Sequence, residues 1–155
     1  MIAAPARPSA LADDSGHGGV QILVTAGPIR FAADLGPVDG GLDVGPNPHD
    51  LVAAGLAACT TQTLRLYARR KAWLLGAVHV EVTWRRDPSS QPADTFERVI
   101  TLGGDLDEAQ RARLIEIAEA CPVADPLGER DRVVGGEREA GPVRHRRPSL
   151  PTAAT

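Results

Sequence analysis

With 155 residues, 43% of them apolar, the chain is long enough for one domain with a real core and too short for two ordinary ones. Aromatic residues make up only 3%, so that core must be built from closely packed Ala, Val, Leu and Ile. A net charge of −3 with both signs spread along the chain leaves no footprint for nucleic acid, and no stretch approaches ~18 consecutive apolar residues, which excludes a membrane-spanning helix.

Residues 1–18, rich in Ala, Pro, Ser, Asp and Gly, carry neither helical nor strand periodicity and predict a disordered lead-in. Met1 to Ala12 lacks the basic start and long apolar middle of a signal peptide, so a cytoplasmic location is expected. A single domain over residues 19–134 follows. Val20 to Thr25 and Ile29 to Ala33 read as a hairpin broken at Ala26-Gly27-Pro28, and Gly36 to Pro48 reads as a surface loop. Asn47 is placed to cap a helix, with Pro48 in its first turn and Asp50 where a carboxylate is favourable. From Leu51 to Cys59 nearly every residue is apolar or small, which predicts a central helix covered on all sides; beyond Thr63 it turns amphipathic and frays near Trp73.

Alternation over Ala77 to Trp84 predicts a half-buried strand, and the run Phe96, Val99, Ile100, Leu102 predicts its antiparallel partner. Asp107 caps a second helix whose Leu114, Ile115, Ile117 and Ala118 face the core, and Pro122 ends it just after Cys121. Arg132 to Val134 offers one short strand, and residues 135–155, basic around Arg144 to Arg147, predict a disordered tail. The order of elements makes this an α+β domain with helices packed on antiparallel sheet.

Two cysteines are too few for a disulfide framework, and in a reducing compartment such a pair is buried, catalytic or redox-sensing. A cysteine inside an Ala-rich helix is ordinarily packing. For Cys59 to react as a thiolate it needs an activating group, yet it stands twelve residues past Asn47, ~18 Å along the axis and beyond the reach of the helix dipole. Its neighbours three and four positions away are Gly55, Leu56, Gln62 and Thr63, none charged. His49 and Asp50 lie off its face, within reach only of a partner subunit's site. Cys121, at the end of the second helix, is either a buried thiol or the second member of an attacking and resolving pair. His49, Asp50 and His79 have no compact metal-ligand spacing, so no metal is expected.

The segment Gly45-Pro46-Asn47-Pro48-His49-Asp50-Leu51, followed by Ala53-Ala54-Gly55-Leu56-Ala57-Ala58-Cys59, resembles the first-cysteine helix of the OsmC and organic hydroperoxide resistance (Ohr) proteins. Cys121-Pro122-Val123 resembles their second motif, and the resemblance runs from Gly27 to Leu127, including Gly104-Asp105-Leu106-Asp107. It implies an intertwined α+β homodimer with two sites at the subunit interface. It also implies that Cys59 is the peroxidatic thiol and Cys121 its resolving partner, with Arg30 as thiolate stabiliser and Asp50 as a nearby carboxylate. The substrate would be an organic hydroperoxide and the reductant an external dithiol, with no bound cofactor. The chain departs from the peroxidase pattern in carrying His49 where those members have glutamate, and Ala124-Asp125-Pro126-Leu127 after the second motif. The other reading is a non-catalytic dimer of the same fold that binds a small apolar ligand or a protein.

Overall fold

In the computed structural model, which describes residues 10–124, 126–127 and 131–135, three strands precede the first helix. The hairpin around Gly27 is formed by β2 (Ile22–Ala26) and β3 (Ile29–Ala33), with Ala26 opposite Ile29 and Val24 opposite Phe31. Gly27 takes a φ of 56°, the left-handed turn conformation that glycine adopts at least cost. On the other side of β2 lies β1 (Ala10–Asp14), antiparallel, with Ala12 opposite Val24.

That strand corrects the expected lead-in, of which residues 1–9 lie outside the described residues. It is exposed along its whole length, so burial selects no alternating pattern, and backbone pairing holds it in place. The Asp, Ser and Gly residues that read as disorder instead build its connection to β2, where the Gly16 N–H donates to Asp14 Oδ1 at 2.7 Å.

After β3 the chain wraps round a buried carboxylate. Asp34, 3% exposed, accepts the N–H groups of Leu35 (2.8 Å), Leu42 (2.9 Å) and Val44 (3.5 Å). The expected surface loop thus has a fixed centre, with a single 3₁₀ turn at Pro37–Asp39. Helix α1 (Pro48–Arg70) starts from a capping box: Asn47 Oδ1 accepts from His49 and Asp50, and Asp50 Oδ2 accepts the Asn47 N–H at 3.1 Å. Leu56, Thr60, Leu64 and Ala68, spaced by four, form its buried stripe. Ala54, Gly55 and Ala58, turned away from that stripe, are exposed, as is Val52 near the start of the helix. The enclosure expected for Leu51 to Cys59 is therefore incomplete in one chain, which supplies a packing layer on one side of the helix alone.

Strands β4 (Leu74–Arg86) and β5 (Asp94–Asp105) pair antiparallel, setting Val80 opposite Ile100, Val82 opposite Arg98 and Trp84 opposite Phe96. Helix α2 (Glu108–Glu119) carries a second capping box between Asp107 and Gln110. The last strand, β6 (Asp131–Gly135), lies parallel to β5. The α+β class stands, with the strands divided into two three-stranded sheets, β1-β2-β3 and β4-β5-β6. Leu64, Ala68, Ile100, Leu106, Leu114 and Ala118 make the main core between α1, α2 and the second sheet. No helix among the described residues is long and apolar enough to cross a membrane. The basic segment around Arg144 to Arg147 lies outside them.

Candidate functional site: a cysteine pair between two helices

A second, smaller core joins the middle of α1 to the exit of α2. Leu56, Phe96, Cys121 and Ala124 are buried there, and Ala53, Cys59, Val82, Trp84 and Leu127 pack against them. Cys59 follows Leu56 on α1 by three residues, which keeps both on the side facing the sheet. Cys121 comes just past the end of α2, where Pro122 bars continuation of the helix. The chain turns tightly there, the Ala124 N–H donating to the Cys121 carbonyl at 2.8 Å. Both cysteines are reduced, Cys121 fully buried and Cys59 partly accessible.

The two thiols adjoin in this cluster, and each shifts the ionisation of the other. Burial pushes Cys59 above the ordinary thiol value, and the Cys121 sulfur adds to that rise against opposing donation from the Val123 N–H and the Thr63 hydroxyl. Burial opposes ionisation of Cys121 as well, but there it is outweighed by donation from Cys59, the Val123 and Ala124 N–H groups and the Thr60 hydroxyl. The net direction for Cys121 is downward and that for Cys59 upward.

Behind Thr60 stands an arginine that the sequence reading passed over. Arg98, 0% exposed, donates from Nη1 to Thr60 Oγ1 at 2.9 Å and to the Ala118 carbonyl at 2.7 Å. Its signal was the strict alternation Phe96, Arg98, Ile100, Leu102, which puts position 98 on the inward face with the apolar residues.

Of the residues singled out from sequence, Cys59 and Cys121 are brought together. Asp50 has its carboxylate in the α1 capping box. His49 stacks on Trp84 with ring centroids 3.9 Å apart and planes at 14°, so β4 links it to the cysteine cluster that helix phasing alone put out of its reach. Arg30 is exposed on β3 opposite Thr25, and it is not among the groups hydrogen-bonded to either sulfur within one chain. Trp84 Nε1 and Asp94 Oδ1, both on the inward side of the β4–β5 pair, are buried without hydrogen-bond partners and leave one donor and one acceptor open beside the cluster. Among the described residues, no three His, Cys, Asp or Glu side chains converge as metal ligands.

The model of the family described as OsmC-like protein matches residues 39–133, a span that includes both cysteines. The chain belongs to the OsmC-like family. This OsmC-like chain is similar in fold to the organic hydroperoxide resistance protein OsmC of Legionella pneumophila (24% identity, TM-score 0.61, 81% of this chain and 92% of that one). It is also similar to an organic hydroperoxide resistance protein of Elizabethkingia anophelis (21%, 0.66, 86% and 96%). A third such structure is OhrB of Bacillus subtilis (23%, 0.59, 81% and 93%). At these identities the likeness is one of fold, and what the site does must be argued from its own geometry. No curated protein matches the OsmC-like chain in sequence.

Proposed function

We propose that this OsmC-like protein is a thiol-dependent peroxidase that reduces organic hydroperoxides to alcohols. The observation that carries the reading is the packing of a partly accessible thiol on α1 and a buried one at the exit of α2 into a single cluster. Cys59, the accessible member, attacks the peroxide O–O bond while its proton passes to Cys121. The bond breaks, the alkoxide leaves and takes a proton from water, and Cys59 is left as a sulfenic acid. The Cys121 thiol then displaces the hydroxyl as water, forming a Cys59–Cys121 disulfide that an external dithiol reduces.

The open donor at Trp84 Nε1 and open acceptor at Asp94 Oδ1 suit a hydroperoxide group, which both accepts and donates. The working assembly in this reading is a homodimer, its second copy covering the exposed Val52, Ala54, Gly55 and Ala58 of α1 and offering Arg30 to the neighbouring site. The names borne by the structural neighbours support a role in hydroperoxide resistance.

The test is consumption of cumene hydroperoxide by the folded protein with a dithiol. Wild type is expected to turn over with the disulfide visible by mass before reductant is added, and Cys59→Ser to be inactive. No peroxide loss, or equal loss in Cys59→Ser, rejects the peroxidase and leaves a non-catalytic ligand-binding dimer as the reading.

A further inference from the structure

The wall of the cysteine cluster carries two polar atoms that the fold leaves unused. Trp84 Nε1 and Asp94 Oδ1 are buried without hydrogen-bond partners. Trp84 stands opposite Phe96 and Asp94 opposite Arg86, positions of one parity, so both side chains project from the same face of the β4–β5 pair. One atom is a donor and the other, in a carboxylate, an acceptor. A buried indole N–H normally finds an acceptor, and leaving it open is a standing cost to the fold.

Without that hydrogen bond the indole depends on packing alone for its orientation. It packs against the cluster of Leu56, Phe96, Cys121 and Ala124, and the ring of His49 covers one of its faces. The centroids are 3.9 Å apart and the planes 14° from parallel, which is stacking at van der Waals contact. His49 stands on fixed backbone in its turn: its N–H donates to Asn47 Oδ1 at 2.8 Å in the capping box that starts α1. Restraint thus passes from the helix cap to the imidazole, and from the imidazole to the indole.

We propose that His49 is a positioning residue for the hydroperoxide subsite, acting through Trp84. The indole N–H donates to a peroxide oxygen while Asp94 accepts the hydrogen of the O–OH, and the stack holds the indole at the angle this needs. His49 contributes a flat ring and no proton. The assignment rests on the peroxidase reading and adds a preference to it: a dialkyl peroxide has no hydrogen to give Asp94, so the pair favours hydroperoxides.

The experiment joins steady-state kinetics, with cumene hydroperoxide and a dithiol, to fluorescence of the same folded variants. Trp84→Phe keeps a ring for His49 to stack on and removes the N–H, so KM is expected to rise roughly three- to tenfold with kcat nearly unchanged. His49→Ala is expected to raise KM in the same way, and to add nothing when Trp84→Phe is already present. His49→Phe, which restores a stacking ring without an ionisable nitrogen, is expected to return KM to about the wild-type value. Trp73→Phe leaves Trp84 as the single tryptophan, and in that background His49→Ala is expected to make its emission more easily quenched by acrylamide. A loss in His49→Phe equal to that in His49→Ala would assign His49 to proton chemistry and overturn the positioning role, as would a His49→Ala effect that adds fully to that of Trp84→Phe. Wild type that consumes no peroxide rejects the peroxidase reading and the hydroperoxide subsite with it, whereas turnover with KM unchanged in Trp84→Phe overturns the roles of His49 and Trp84 alone.

Discussion

Leu56 is the residue on which the small core around the cysteines can be weighed. It is fully buried, and Leu56→Ala removes three carbons from a cluster that also holds Phe96, Cys121 and Ala124. Transfer alone costs about 2.4 kcal/mol at ~0.8 kcal/mol per methylene. Incomplete collapse of the cavity adds to it, for a total of about 3–4 kcal/mol. With a urea slope of about 2 kcal/mol per M, the unfolding midpoint of the reduced protein is expected to fall by roughly 1.5–2 M. The comparison variant is Val52→Ala on the same helix, where a side chain 39% exposed is expected to cost about 1 kcal/mol or less in a single chain. Modification of Cys121 by an aromatic disulfide reagent should be faster in Leu56→Ala, because the lost side chain shields that sulfur. A loss below about 1 kcal/mol with unchanged Cys121 reactivity would refute the packing described here. A large Val52→Ala loss that shrinks with dilution would show that a second copy covers the start of α1 in solution.

Asp34, whose carboxylate is held below its ordinary value chiefly by the Leu42 N–H, stabilises the fold fully above the unfolded carboxyl pKa and loses that contribution as pH falls through the lower folded value. Asp34→Asn should therefore lower the melting temperature at neutral pH and flatten its decline in acid; parallel melting curves down to low pH would contradict this. Gly104 has a φ of 104° and leaves no room for a β-carbon beside the Gly76 nitrogen and the Leu74 carbonyl. Gly104→Ala is expected to cost at least about 2–3 kcal/mol by thermal or urea unfolding. Gly103→Ala, which would meet Ala77 backbone atoms at 3.2 and 3.3 Å, is expected to cost much less; equal costs would undo the argument from backbone approach.

The helices were the most legible part of the sequence because their ends are written in side-chain chemistry. Asn47 with Asp50 and Asp107 with Gln110 are capping boxes, and Pro122 marks a stop. The hairpin at Gly27-Pro28 and the alternation through Trp84 were legible for the same local reason. What escaped depended on partners distant in sequence. β1 buries nothing and is specified by the edge of β2. β6 pairs parallel to β5, an arrangement that no turn signal encodes. Arg98 was passed over because charge is a strong prior for exposure, although its strand phase pointed inward. The meeting of Cys59 with Cys121 followed from two helices sharing one sheet, whereas Thr60, one residue past Cys59, gained its meaning only once Arg98 was found opposite it.

The placement of the two sulfurs has a mechanical consequence. One lies in the middle of α1 and the other past the end of α2, so a covalent link between them would enclose β4, β5 and α2 in a single loop. Closing a loop of roughly 60 residues removes about 4 kcal/mol of chain entropy from the unfolded state in the simplest treatment. For a small domain that is a sizeable part of its whole margin against unfolding. Each turn of the thiol cycle would then alternately tighten and release the fold, and the oxidised chain would wait for its reductant in the form that resists proteolysis best.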